Sequence, residues 1–165
     1  MNMILVLRQL NHASFSISSS GFSISTQHPY IGTSPDGFVT CNCCGAGILE
    51  VKCPHYKQDK YIQEASEDKG FCLENKGDKL QLNHNHPYIY KIQTQLYATK
   101  GGYCDFVVWT NMEAHVERIL PDMICFIQLC RNVAFYLKFL GNGIQEVWKW
   151  RLSRQTNYKM NFQVF

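Results

Sequence analysis

The sequence has no run of about 18 apolar residues, so it offers no transmembrane helix. Its first apolar run, Met3–Leu7, is too short for the hydrophobic stretch of a secretory signal. It has no internal repeat. It also lacks a strong excess of either charge: the net is +3, which alone points to no partner. The Cys-x-Cys-Cys spacing at Cys41, Cys43 and Cys44 is not that of a zinc knuckle, and no second matched pair follows. Eight cysteines in a 165-residue chain with no signal read as free thiols in a reducing, intracellular protein, nuclear if the source is eukaryotic.

What is present reads as one domain, long enough to bury roughly 70% of the unfolded chain's surface. Charge is uneven. Residues 1–120 carry ten Lys/Arg and eleven Asp/Glu, whereas residues 121–165 carry six and two. The basic C-terminal part suits either an acidic polymer or plain solvation. "SFSIS" and "GFSIS" alternate apolar and polar residues and predict a β-hairpin. "HPYIGTSPDGFVT" predicts a strand bent at Pro35-Asp36-Gly37, and "ILEVKC" a short strand with Ile48, Glu50 and Lys52 on one face. Residues 54–84 read as a long polar loop with room for a short helix. "HPYIYKIQTQLYATKGG" predicts a helix with Pro87 in its first turn, an Ile89/Ile92/Leu96/Thr99 stripe and a stop at Gly101-Gly102. "YCDFVVWT" and "AHVERIL" predict two strands joined at Asn111, and Asp122 caps a helix running to about Leu140. The order gives an α/β fold: a central mixed sheet flanked by helices. A domain over 13–147 is followed by a basic, aromatic tail over 148–165.

Asp36 and Glu50 are candidate ligands for Mg²⁺, with Mn²⁺ as a substitute. A hard cation takes oxygen donors and keeps several waters, so two carboxylates and the Val51 carbonyl suffice. Such a cation lowers the pKa of attacking water and neutralises phosphoryl charge. Lys52, on the same strand face as Glu50, reaches the same cleft. There it orients or deprotonates the water, or steadies transition-state charge. Alone, a Pro-Asp…Glu-x-Lys pattern also fits a surface hairpin with a salt bridge.

Four blocks in order sharpen this reading: "GTSPDGFV", "GILEVKCP", "YIYKIQTQLYAT" and "YCDFVVWT". Together they resemble the YqaJ-type viral recombinase family, which is phage lambda exonuclease-like and part of the PD-(D/E)xK superfamily. The resemblance runs over roughly residues 13–140. It implies a restriction-endonuclease-like core and a Mg²⁺-dependent exodeoxyribonuclease. Such an enzyme hydrolyses linear double-stranded DNA from a 5′ end, in recombination or mobile-element processing. It implies that Asp36, Glu50 and the Val51 carbonyl bind metal, that Lys52 is catalytic, that Gln93 sits beside the attacking water and that Ser34 contacts a terminal phosphate. DNA ends are the implied partner, and a homo-oligomer is within the family's range. Only thirteen residues precede Ser14, with no acid among them, so the core is expected to be shortened at its N-terminus.

Two other readings stand behind it. One is a catalytically impaired, DNA-binding remnant of the family. The other is a zinc-stabilised interaction module using Cys41, Cys43, Cys44 and Cys53, with His55 or Cys72. Free thiols at a hairpin are preferred to zinc. His84 and His86 read as helix-start residues, and His28 as structural. Trp148, Lys149, Trp150, Arg151, Arg154, Tyr158 and Lys159 suit DNA contact or packing on the last helix.

Overall fold

A computed structural model describes residues 12–77, 79–129 and 131. Backbone contacts divide the chain into two units, 1–126 and 127–165, and the architecture below belongs to the first. The expected tail beyond 147 and most of the last helix lie outside the described residues.

Five strands form the central sheet: β1 (Ser16–Ser18), β4 (Gly37–Cys41), β5 (Gly45–Lys52), β8 (Cys104–Trp109) and β9 (Ala114–Ile119), in the order β1-β4-β5-β8-β9. Only β5 and β8 pair in parallel. A parallel pair needs a long crossover, and residues 53–103 supply it. The sheet is therefore mixed, as the sequence order implies.

The crossover carries, over residues 54–84, the short helix that the polar loop left room for, and also a hairpin that was not expected. It holds a 3₁₀ turn (His55–Lys57), a short helix α1 (Ile62–Ser66) and a hairpin of β6 (Leu73–Lys76) and β7 (Lys79–Leu82). Ile62, Ala65, Phe71, Leu73 and Leu82 of this segment are buried in the main core, and Leu80 packs against it. They are too widely spaced to show a period, which is why the segment reads as loop. Two carboxylates near and on β9 fasten it: Glu113 accepts from the Ile62 amide at 2.6 Å, and Glu117 from the Leu82 amide at 2.6 Å.

The "SFSIS"/"GFSIS" hairpin does not form. β1 pairs with β4, and β2 (Ser23–Ile24) pairs with β3 (Gly32–Thr33) in a separate two-stranded sheet. Alternation identifies a strand without naming its partner. The bend at Ser34–Asp36 is real, and it separates β3 from β4.

Helix α2 (Pro87–Thr99) starts as expected, with Pro87 in the first turn and the His86 side chain accepting from the Tyr88 amide at 3.3 Å. It ends one residue before the glycines: Lys100 takes the left-handed conformation, φ 56°. Ile89, Ile92 and Leu96 pack with Ile48, Phe106 and Val108 on one face of the sheet. Phe15, Val39, Leu49, Tyr103 and Val107 form a second cluster on the other face. β8 is buried on both faces, which explains its near-continuous apolar run. Asp122 caps the next helix, its Oδ1 accepting from the Ile124 amide at 2.9 Å and the Cys125 amide at 3.2 Å.

Candidate active site

Period-two alternation along β5 puts Ile48, Glu50 and Lys52 on the α2 side of the sheet. Register does the rest. Gly37 pairs with Leu49, so Asp36 stands one step beyond the pairing, against Glu50. The Asp36 amide donates to the Leu49 carbonyl at 2.9 Å, and its Oδ2 accepts from the Val51 amide at 2.7 Å. The 34–36 bend is thus locked onto the strand that carries Glu50 and Lys52.

Glu50 is fully buried. Its Oε1 is paired with both Lys52 and Lys91, and its Oε2 accepts from Gln95 Nε2 at 2.8 Å. Burial by itself would raise the Glu50 pKa. The hydrogen bonds from Lys52, Lys91 and Gln95 outweigh it and hold the carboxyl below its ordinary value. The group is therefore an anion held inside the protein. Lys52 Nζ also lies 4.9 Å from the centre of the Tyr88 ring and 3.4 Å from the Val51 carbonyl oxygen. Beyond Lys52 opens a cleft of about 240 Å³ bordered by His55, Tyr56, Phe71, His86 and Tyr88. Burial lowers the His86 pKa, favouring a neutral ring at that border.

Gln93 is not in this cluster. Its amide accepts from the Asp122 backbone at 2.7 Å and donates to the Leu120 carbonyl at 3.0 Å, so both ends tie the exit of β9 to the following helix. The resemblance implies that Gln93 sits beside the attacking water; in the structure it is Gln95, not Gln93, that meets Glu50. Two residues on a helix are about 200° apart. Gln93 and Gln95 therefore flank the apolar stripe on opposite sides, and only one side meets Glu50. Sequence reasoning also missed Lys91 and Tyr88, which share Gln95's side at i−4 and i−7. That spacing was the available signal. Ser34 is exposed at the same bend, and its carbonyl lies 3.4 Å from Gln95 Nε2.

The YqaJ-like viral recombinase domain model matches residues 9–101, more than half of the chain. The chain belongs to that family. The match takes in the Asp36 bend, β5 and all of α2, the elements that build this cluster. Among solved structures it is similar to the alkaline exonuclease LHK-Exo from Laribacter hongkongensis. Identity is 21% and the TM-score 0.61, over 94% of this chain and 72% of that one. The same enzyme in complex with dAMP gives 22% and 0.63, over 94% and 71%. At these identities the likeness establishes the α/β exonuclease fold. No curated protein matches in sequence. Among the described residues no helix is long and apolar enough to cross a membrane.

Proposed function

We propose that this YqaJ-family chain is a Mg²⁺-dependent exodeoxyribonuclease acting on ends of linear double-stranded DNA, 5′ to 3′, in recombination or mobile-element processing. The observation that carries the reading is the buried, ionised Glu50. A carboxylate at the centre of a sheet, matched by two lysines and a glutamine and faced by Asp36, is costly to bury for stability alone. Perturbed charges cluster at working sites, and Glu50 is paired with Lys52, which lines the cleft.

The donor set suits the cation. Asp36, Glu50 and the Val51 carbonyl offer hard oxygen and no sulfur or imidazole, which favours Mg²⁺ or Mn²⁺. Gln95 Oε1 is buried with no hydrogen-bond partner among the described residues, an acceptor fit for an ordered water beside Glu50. When bound there, Mg²⁺ neutralises phosphodiester charge and acidifies an attacking water. Glu50, Asp36 and Val51 would hold it. Lys52, held as a cation between Glu50 and the Tyr88 ring, orients the nucleophile or steadies the charge of the transition state. Gln95, in the role first given to Gln93, positions that nucleophile from the opposite side. Lys91, 44% exposed at its side chain against 19% for Lys52, is the more accessible of Glu50's two cationic partners and is placed to meet a substrate phosphate. Ser34, exposed beside Asp36, is placed for a terminal phosphate. The dAMP complex of the structural neighbour supports nucleotide binding in this fold, and the aromatic cleft past Lys52 has the chemistry for it.

The second reading, a DNA-binding remnant, keeps this geometry without turnover. Folded protein is incubated with linear 5′-phosphorylated duplex and with closed circular DNA, in Mg²⁺ and without divalent cation. Mg²⁺-dependent loss of the linear DNA alone is the expected result. Binding without digestion selects the remnant.

A further inference from the structure

The three-residue turn between β4 and β5 carries Asn42, Cys43 and Cys44, flanked by Cys41 and Gly45. Gly45 takes φ +73°, the left-handed position such a turn needs. The fold brings three thiols and one imidazole together there. Cys41 and Cys43 Sγ are 3.4 Å apart, and Cys43 and Cys44 Sγ 3.6 Å. His12 Nδ1, from before β1, lies 3.0 Å from Cys43, 3.5 Å from Cys44 and 3.7 Å from Cys41. All four donor atoms lie within 4.8 Å of one another.

We propose that His12, Cys41, Cys43 and Cys44 form a structural zinc site. A tetrahedral Zn²⁺ with bonds of about 2.3 Å to sulfur and about 2.0 Å to nitrogen sets S···S edges of about 3.8 Å and N···S edges of about 3.5 Å. Four of the separations, Cys41–Cys43, Cys43–Cys44, His12–Cys44 and His12–Cys41, fall within a few tenths of an ångström of these values; the His12–Cys43 contact is shorter, and Cys41 and Cys44 lie within the 4.8 Å that spans all four donors. The S···S separations are far from the roughly 2.0 Å of a disulfide, and all three cysteines are free thiols. The donors are soft, unlike the all-oxygen set at Glu50, so the two places select different metals. Cys41 and Cys44 stand in Cys-x₂-Cys separation, a spacing masked by the intervening Cys43. Three thiolates and a neutral imidazole around Zn²⁺ leave one negative charge, and Arg118 reaches Cys44 to offset it.

Cys53, His55 and Cys72, the other ligands suggested by sequence, are excluded by placement. Cys53 and His55 follow the far end of β5, and Cys72 is buried in the α2-side core. Four protein ligands close the coordination sphere, so the site is structural rather than catalytic. It clamps the segment before β1 onto the hairpin. Backbone and side-chain bonds already join the two: the Asn42 amide donates to the Ala13 carbonyl at 3.1 Å, and Asn42 Nδ2 to Ser14 Oγ at 3.2 Å. The open end of that hairpin carries Asp36 and Glu50, about 17 Å away at the rise of a β-strand. Zinc thus holds the frame of the cutting site without entering it.

The test is metal content and cobalt spectroscopy of the purified full chain. One zinc per chain, retained through dialysis, is expected. Replacement by Co²⁺ should give tetrahedral ligand-field bands and thiolate-to-cobalt charge transfer. Cys43→Ser should weaken zinc binding by more than the about 10–100-fold typical of an outer-shell loss, while Cys53→Ser leaves it unchanged. A thiophilic chelator should lower the Tm, with recovery on Zn²⁺ and none on Mg²⁺. Metal-free folded protein with a Tm indifferent to Zn²⁺ and chelator would overturn the proposal. So would a disulfide among the three cysteines, or octahedral cobalt. If Cys43→Ser fails to fold, the wild-type cobalt spectrum decides.

Discussion

Exchanging the roles of Gln93 and Gln95 is the sharpest consequence of the geometry. Gln95→Ala deletes a charge-assisted hydrogen bond to Glu50, worth about 1.5–3 kcal/mol, and the buried acceptor beside it. If that energy is expressed at the transition state, turnover falls about 10–100-fold. Gln93→Ala instead strips partners from the Leu120 carbonyl and the Asp122 amide. At about 0.5–1.5 kcal/mol for each of these two partly exposed bonds, this variant should lose about 1–3 kcal/mol of stability and keep its turnover per folded molecule. The assay pairs Mg²⁺-dependent digestion of linear duplex, normalised to folded fraction by near-UV circular dichroism, with urea denaturation. Folded Gln93→Ala protein that is inactive beside a fully active Gln95→Ala variant would refute the assignment.

Three further outcomes follow from packing and charge. A Cβ on Gly47 would lie 2.5 Å from the Tyr103 ring, so Gly47→Ala should cost about 1–3 kcal/mol by overpacking, read as a lower Tm. Arg118 holds the buried Asp105 by bonds of 2.9 and 3.1 Å, so Arg118→Met should destabilise the fold, read as a lower midpoint in urea titrations. Burial lowers the His115 pKa, and the lysine and glutamine bonds keep that of Glu50 low. Both groups take up protons more readily when unfolded. Across the neutral-to-acid range stability therefore begins to fall below about pH 6.5 through His115 and, in the same direction, the partly buried His86, and falls again below about pH 4.5 through Glu50. His115→Gln should flatten the first fall in urea midpoints measured against pH. A rise in stability between pH 7 and pH 5 would contradict this.

Much of the centre was legible because it depends on local rules. Alternation put Glu50 and Lys52 on one face, the Pro-Asp-Gly bend brought Asp36 back to them, and Pro87 marked the start of α2. What stayed hidden depends on pairing across the chain. Nothing local says that Ser16–Ser18 joins β4 rather than the neighbouring "GFSIS". The Gln-x-Gln motif names two residues, but only the position of α2 on the sheet decides which meets Glu50. His12 sits 29 residues before Cys41, and no spacing rule announces their contact. The crossover's hairpin was obscured because its buried residues are sparse among charges.

Glu50 is the residue on which the account turns. Nucleotide release from linear 5′-phosphorylated duplex should therefore be compared for wild type and Glu50→Gln, both shown to be folded, across a Mg²⁺ titration. Saturable, Mg²⁺-dependent release by the wild type and loss of at least about 10³-fold in the variant, roughly 4 kcal/mol, is the predicted result. Equal release by both proteins, or no release by either at any Mg²⁺ concentration, would contradict it.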